Sequence, residues 1–172
     1  MNKIHCLSAA ALLSACTTTA HSTASNTQAQ AQFERLKKLE GNWITVSEKA
    51  GSAEGIKAHY HTTAGGSAVV ETLVPARDEE MVSVYHLDRG ALVMTHYCSL
   101  GNHPHMRAAA PAADGTITFT CDGSSNVSES AEMHMHSVEF KFTDDSHVRA
   151  TWTLYDKGHS AEVAPFAFVR SW

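Results

Sequence analysis

EMVSVYHLDRGALVMTHYC, residues 80–98, reads as two strands and the turn between them. Val, Tyr, Leu, Met and Thr dominate the runs on either side of Asp88-Arg89-Gly90. A short Gly-containing turn between two such runs is a hairpin signal, because β-branched and aromatic side chains fit a pleated surface. The signature repeats in both directions. Further turns fall at Gly51-Ser52, Gly65-Gly66, Asp114-Gly115, Asp144-Asp145 and Asp156-Lys157-Gly158. Strands are predicted near 43–48, 55–62, 67–74, 81–87, 91–98, 116–121, 133–142, 147–155 and 162–170, with a further short one near 105–109. Many short strands joined by tight turns make a sandwich or a barrel. Consecutive hairpins favour an up-and-down meander, and closing it removes the exposed edges. The expected fold is all-β: a single antiparallel up-and-down barrel of about 8–10 strands with one short N-terminal helix.

The helix is expected over 31–40, AQFERLKKLE. Phe33, Leu36 and Leu39 recur at helical spacing, and Gly41 ends the run. Upstream, TTTAHSTASNTQAQ (17–30) holds no aromatic and no large aliphatic residue. Such a composition cannot bury enough apolar surface to offset ordering entropy, so it reads as a flexible tether. Earlier still, Lys3 precedes a short apolar run from Ile4 to Leu13, followed by the small residues Ser14 and Ala15. That order describes a secretory signal peptide, and the run is far short of the roughly 20 residues a membrane-spanning helix needs. The expected organisation is therefore a signal over 1–15, a tether over 16–30 and one barrel domain over 31–172.

Leu13-Ser14-Ala15-Cys16 resembles the lipobox of bacterial lipoproteins. The resemblance implies that Cys16 is acylated and becomes the mature N-terminus. Thr17, rather than Asp, after the cysteine implies sorting to the outer membrane, with the domain facing the periplasm. Gly41-Asn42-Trp43 after the helix, together with Arg170 on the last strand, resembles the calycin superfamily, the lipocalins and their relatives. The resemblance spans about 33–172. It implies that Arg170 packs across Trp43 and closes the barrel base, as an arginine can by stacking on an indole and donating to carbonyls. GGSAVVETL, EMVSVYHLDRGALVMTHYC and GNHPHM also look like a group of bacterial proteins of this lipocalin-like kind, which implies a fold and no particular activity. The glycine-rich start of the haem-binding nitrobindin branch is absent, since Thr45 and Val46 follow the Trp.

Charge narrows the partners. The chain carries a net −5, and the signal segment removes only Lys3. No basic run exists, which argues against nucleic acid. Membrane attachment falls to the lipid, and a monomer or homodimer is expected. No phosphate loop, dinucleotide fingerprint, nucleophile elbow or paired-carboxylate signature appears, so catalysis has thin support. Glu71 could serve as a base if it turned inward, with Val70 and Thr72 competing for that face.

The compositional oddity is 12 His. Strand parity decides which of them share the barrel interior. On 91–98 the more apolar face carries Leu92, Met94, His96 and Cys98. On 133–142 the face with Val138, Phe140 and Phe142 also carries His134 and His136, which are expected inside. Met133 and Met135 are expected outward or as lid residues, and His59 and His61 toward solvent. On 81–87 Tyr85 and His86 are rivals for the interior. Asn102 belongs to a loop, Asn102-His103-Pro104-His105-Met106, that could cap the same cavity mouth. Cys98 faces two exclusive readings, a metal ligand or a disulfide with Cys121.

These residues support a lipid-anchored barrel that binds a small, partly apolar ligand, with Tyr85, His96, Cys98, Asn102, His134 and His136 at the site. One alternative is a metal or haem protein using His96, Cys98, His134 and His136. Another is a hydrolase or isomerase working in the same cavity. A carrier or sensor suits a tethered envelope protein better than a metabolic enzyme does.

Overall fold

The computed structural model describes residues 18–47, 54–123, 126–128 and 131–172. Cys16 and the 1–15 signal segment lie outside the described residues. Among the described residues, one α-helix and ten strands follow in order: α1 (Thr18–Lys37), β1 (Gly41–Thr45), β2 (Lys57–Thr63), β3 (Ala68–Leu73), β4 (Met81–Asp88), β5 (Ala91–Tyr97), β6 (His105–Ala108), β7 (Ile117–Cys121), β8 (His134–Phe142), β9 (His147–Asp156) and β10 (His159–Ser171). Each strand pairs antiparallel with its sequence neighbour, and β1 pairs with β10, so the meander closes into a barrel. The short strand predicted near 105–109 is β6. No helix among the described residues is long and apolar enough to cross a membrane.

Turn chemistry explains the two tightest corners. Asp88 pairs with Ala91, leaving Arg89 and Gly90 as a two-residue loop with φ of 47° and 80°. Lys157 and Gly158 form the same loop between Asp156 and His159, with φ of 50° and 78°. Two left-handed residues in a row match the right-handed twist of the flanking strands. Glycine at the second position carries no Cβ to oppose that backbone.

Alternation fills the interior. Trp43, Tyr60, Val69, Tyr85, Leu92, Met94, Met106, Ile117, Phe119, Val138, Phe140, Trp152 and Phe168 are all buried. Tyr85, Phe119 and Phe140 meet edge-on or tilted, with centroids 5.5–6.4 Å apart, the arrangement that aromatic quadrupoles favour.

One end of the barrel, the base, is plugged by α1. The helix begins well before the Ala31 start that the pattern predicts. Ala29, Phe33 and Leu36 lie at i, i+4 and i+7, and all three are buried. Gln28 to Gln32, QAQAQ, favours helix, and the helix extends back from it to Thr18 through a segment that reads as tether by composition. Trp43 Nε1 donates to Leu39 O at 2.6 Å, and the Arg170 guanidinium lies 4.5 Å from the Trp43 ring centre. Arg170 also donates to the carbonyls of Lys38, Glu40 and Asp145, tying β10 to the segment after α1 and to the β8–β9 turn.

Candidate functional site

The opposite end, the mouth, holds a cavity of about 80 Å³. Its walls include Leu73, Met81, Met135, Trp152, Phe166 and Phe168, with His96 as the one polar side chain. His96 is 1% exposed and its ring lies 4.6 Å from that of Trp152. Burial makes protonation costly, holding its pKa down at about 4. It is therefore a neutral imidazole at physiological pH, with one donor and one acceptor. Nδ1 bonds Ser83 Oγ at 2.9 Å, while Nε2 is buried without a partner.

Register places His96 at the end of a polar row. Tyr60 sits directly opposite Glu71, Glu71 opposite Ser83, and Ser83 opposite His96, across β2 to β5. Glu71 is fully buried and accepts bonds from Tyr60 (2.5 Å) and Tyr85 (2.6 Å). Burial raises its pKa, opposed by bonds from Tyr60, Tyr85 and Ser83. Both tyrosines are pushed well above the usual phenol range, by burial first and then by the charge of Glu71. The carboxyl is thus held by the hydroxyls of Tyr60, Tyr85 and Ser83, and only the His96 end of the row reaches the cavity.

The structure separates the other expected residues. Tyr85 faces inward, bonded to Glu71, and His86 is half-buried. Cys98 is half-buried just past β5, its sulfur 4.0 Å from Met81 Sδ, and burial raises its thiol pKa. Cys98 and Cys121 form no disulfide; Cys121 Sγ points instead to Met135 O, 3.9 Å away. Asn102 Nδ2 donates to Met133 O at 2.8 Å, and its Oδ1 is buried without a partner. His103 N donates to Asn126 Oδ1, so the loops after β5 and β7 are latched together over the mouth.

His134 and His136 do not line the cavity, which corrects the parity reading. A β-bulge shifts the β8–β9 register between Met135 and Ser137. Two-residue alternation breaks at a bulge. Met135, expected outward, is brought opposite Leu154, in phase with Trp152, and lines the cavity. His134 falls opposite Tyr155 and is fully buried, near Cys121 rather than His96. The His96–Cys98–His134–His136 metal set is therefore not assembled. Cys121, His134 and His136 cluster instead, with ligand atoms within 4.8 Å of one another.

Glu71, Tyr60 and Ser83 are the members of the polar row absent from the expected site. Their signal was parity: Glu71 shares a face with Val69 and Leu73, and Tyr60 with Ala58, all buried. No protein-family model matches the chain, and no curated protein matches it significantly.

Proposed function

We propose that this chain is a lipid-anchored, lipocalin-like protein of the cell envelope that binds one small, mostly apolar, uncharged molecule beside His96. The anchor rests on Leu13-Ser14-Ala15-Cys16 and the short apolar run before it. The kinship rests on the closed meander and on Arg170 stacked over Trp43. One observation carries the ligand reading: an apolar cavity whose single polar side chain, His96, keeps an unpartnered buried nitrogen. An unmet buried polar atom costs about 1–3 kcal/mol, which a ligand with one matching donor or acceptor recovers. The apolar walls hold the rest of the molecule by burial. A neutral imidazole and uncharged walls select against ions.

Native mass spectrometry of the protein purified from its own membranes tests this. The expected spectrum shows an acyl mass on Cys16 and a small, separable adduct. His96→Leu, folded by circular dichroism, should lose the adduct. An adduct kept at full occupancy in His96→Leu, or a haem absorption band on the wild-type protein, overturns the reading.

A further inference from the structure

From the cluster beside the cavity we infer a second site: Cys121, His134 and His136 bind one thiophilic d10 cation, Zn²⁺ or Cu⁺. Three observations converge. The first is spacing. His134 Nε2 and His136 Nδ1 lie 3.3 Å apart, and Cys121 Sγ completes a set in which all ligand atoms are within 4.8 Å. Two imidazole nitrogens bound at about 2.0–2.1 Å to a tetrahedral ion stand roughly 3.3–3.4 Å from each other.

The second is tautomer control. His134 Nδ1 lies 2.8 Å from Glu132 O, and a carbonyl can only accept, so Nδ1 carries the proton. Nε2 is then the bare lone pair, aimed at His136. Metal-binding histidines are commonly fixed in this way, through a backbone carbonyl on the other ring nitrogen.

The third is rigidity. His134 is fully buried, and the His136 ring stacks on Tyr155 at 3.8 Å with planes 10° apart. The β8 bulge sets both rings at the β7–β8 seam where Cys121 ends its strand. One soft sulfur with two imidazoles suits Zn²⁺ and Cu⁺ rather than Mg²⁺ or Ca²⁺.

Without the ion, His136 Nδ1–H donates to His134 Nε2. On binding, that proton moves to His136 Nε2, the Cys121 thiol loses its proton to solvent, and the ion bonds Sγ and the two bared nitrogens. Three protein ligands leave a tetrahedral ion one position for a water molecule. Neither His134, His136 nor Cys121 lines the cavity beside His96, so the two sites are separable by mutation.

The experiment is a competition titration of reduced, folded protein with Zn²⁺ and with Cu⁺, each against a chromophoric chelator. One equivalent of Zn²⁺ or Cu⁺ should bind, and the stronger of the two identifies the ion. Cys121→Ser and His136→Gln should each weaken binding by at least the ~10–100-fold that loss of a supporting partner alone costs. Cys98→Ser and His96→Leu should leave it unchanged. Co²⁺ loaded in place of Zn²⁺ should give tetrahedral visible bands and a thiolate charge-transfer band, the latter lost in Cys121→Ser. If His136→Gln fails to fold, Cys121→Ser with the Co²⁺ spectrum decides alone. Absence of stoichiometric binding, or equal affinity in Cys121→Ser, overturns the proposal, the latter by placing the ion on exposed histidines.

Discussion

The two ends of the barrel use polar groups in opposite ways. At the base, Arg170 gives its donors to three backbone carbonyls and Trp43 gives its N–H to a fourth. At the mouth, His96 Nε2 and Asn102 Oδ1 are buried with nothing to bond. Satisfied buried groups rigidify a fold, while unsatisfied ones are costly and need a reason. The base therefore holds the barrel shut, and the mouth leaves these two polar atoms unmet.

The hardest test of that division compares large-to-small substitutions. Trp43→Ala should cost about 3–5 kcal/mol by chemical denaturation, because the ring is fully buried under Arg170. Met135→Ala, half-buried on a wall that already adjoins empty space, should cost less than about 2 kcal/mol. Equal losses would break the distinction between a packed base and an underfilled mouth.

The next effect is a pH dependence with its source at the mouth. The His96 pKa is lowered from 6.5 to about 4 by burial. Between those values the unfolded chain binds more protons than the folded one, so the contribution is full above pH 6.5 and is lost on acidification. The whole window is worth on the order of 3 kcal/mol. The urea midpoint of wild type should fall relative to that of His96→Phe as pH drops from 7 to 4. Parallel curves would mean that His96 is not held neutral by its surroundings.

Most of the barrel was readable because its signals are local. Arg89-Gly90 and Lys157-Gly158 specify their turns through backbone conformation alone, and strand alternation specifies the core around Leu92, Met94 and Phe140, while on β4 it left Tyr85 and His86 as rivals. The mouth was harder for a physical reason. Parity propagates along a strand only while the ladder is regular, and the bulge at Met135–Ser137 reverses it without any Gly or Pro to mark the place. The same reversal exchanged Met135 for His134 and His136 at the cavity wall. Glu71 was obscured differently. A carboxylate on an otherwise apolar face looks misplaced until its partners Tyr60 and Tyr85, from two other strands, are known. The early start of α1 was hidden because Ala29 gains its burial only from the barrel it docks on.

Glu71 gives a pH effect of the opposite sign. Its pKa is raised by burial, so the folded state holds a proton that the unfolded state has already released. Its contribution is present at low pH and declines as pH rises through the folded pKa. Glu71→Gln should lack that decline, so its stability should rise relative to wild type as pH increases. Tyr85→Phe deletes one hydroxyl bond to the carboxylate and should cost about 1.5–3 kcal/mol at neutral pH, while leaving Glu71 harder to ionise. A Tyr85→Phe protein as stable as wild type would show that the polar row contributes nothing measurable.

The smallest effect is the most diagnostic of the mouth. Asn102→Ala removes the bond from Nδ2 to Met133 O, worth about 1 kcal/mol, and also removes the unpartnered Oδ1, whose burial is itself costly. The two changes oppose each other, so global stability should move by less than about 1 kcal/mol. The latch between the loops after β5 and β7 would nonetheless lose the bond to Met133 O, keeping that from His103 N to Asn126 Oδ1. Amide hydrogen exchange should therefore quicken at His103 and neighbouring mouth amides while Trp43 and Arg170 at the base keep their protection. Faster exchange at both ends would mean that the mouth is coupled to the closure of the barrel. Exchange confined to the mouth would mean that its loops can open to admit a ligand with the base undisturbed.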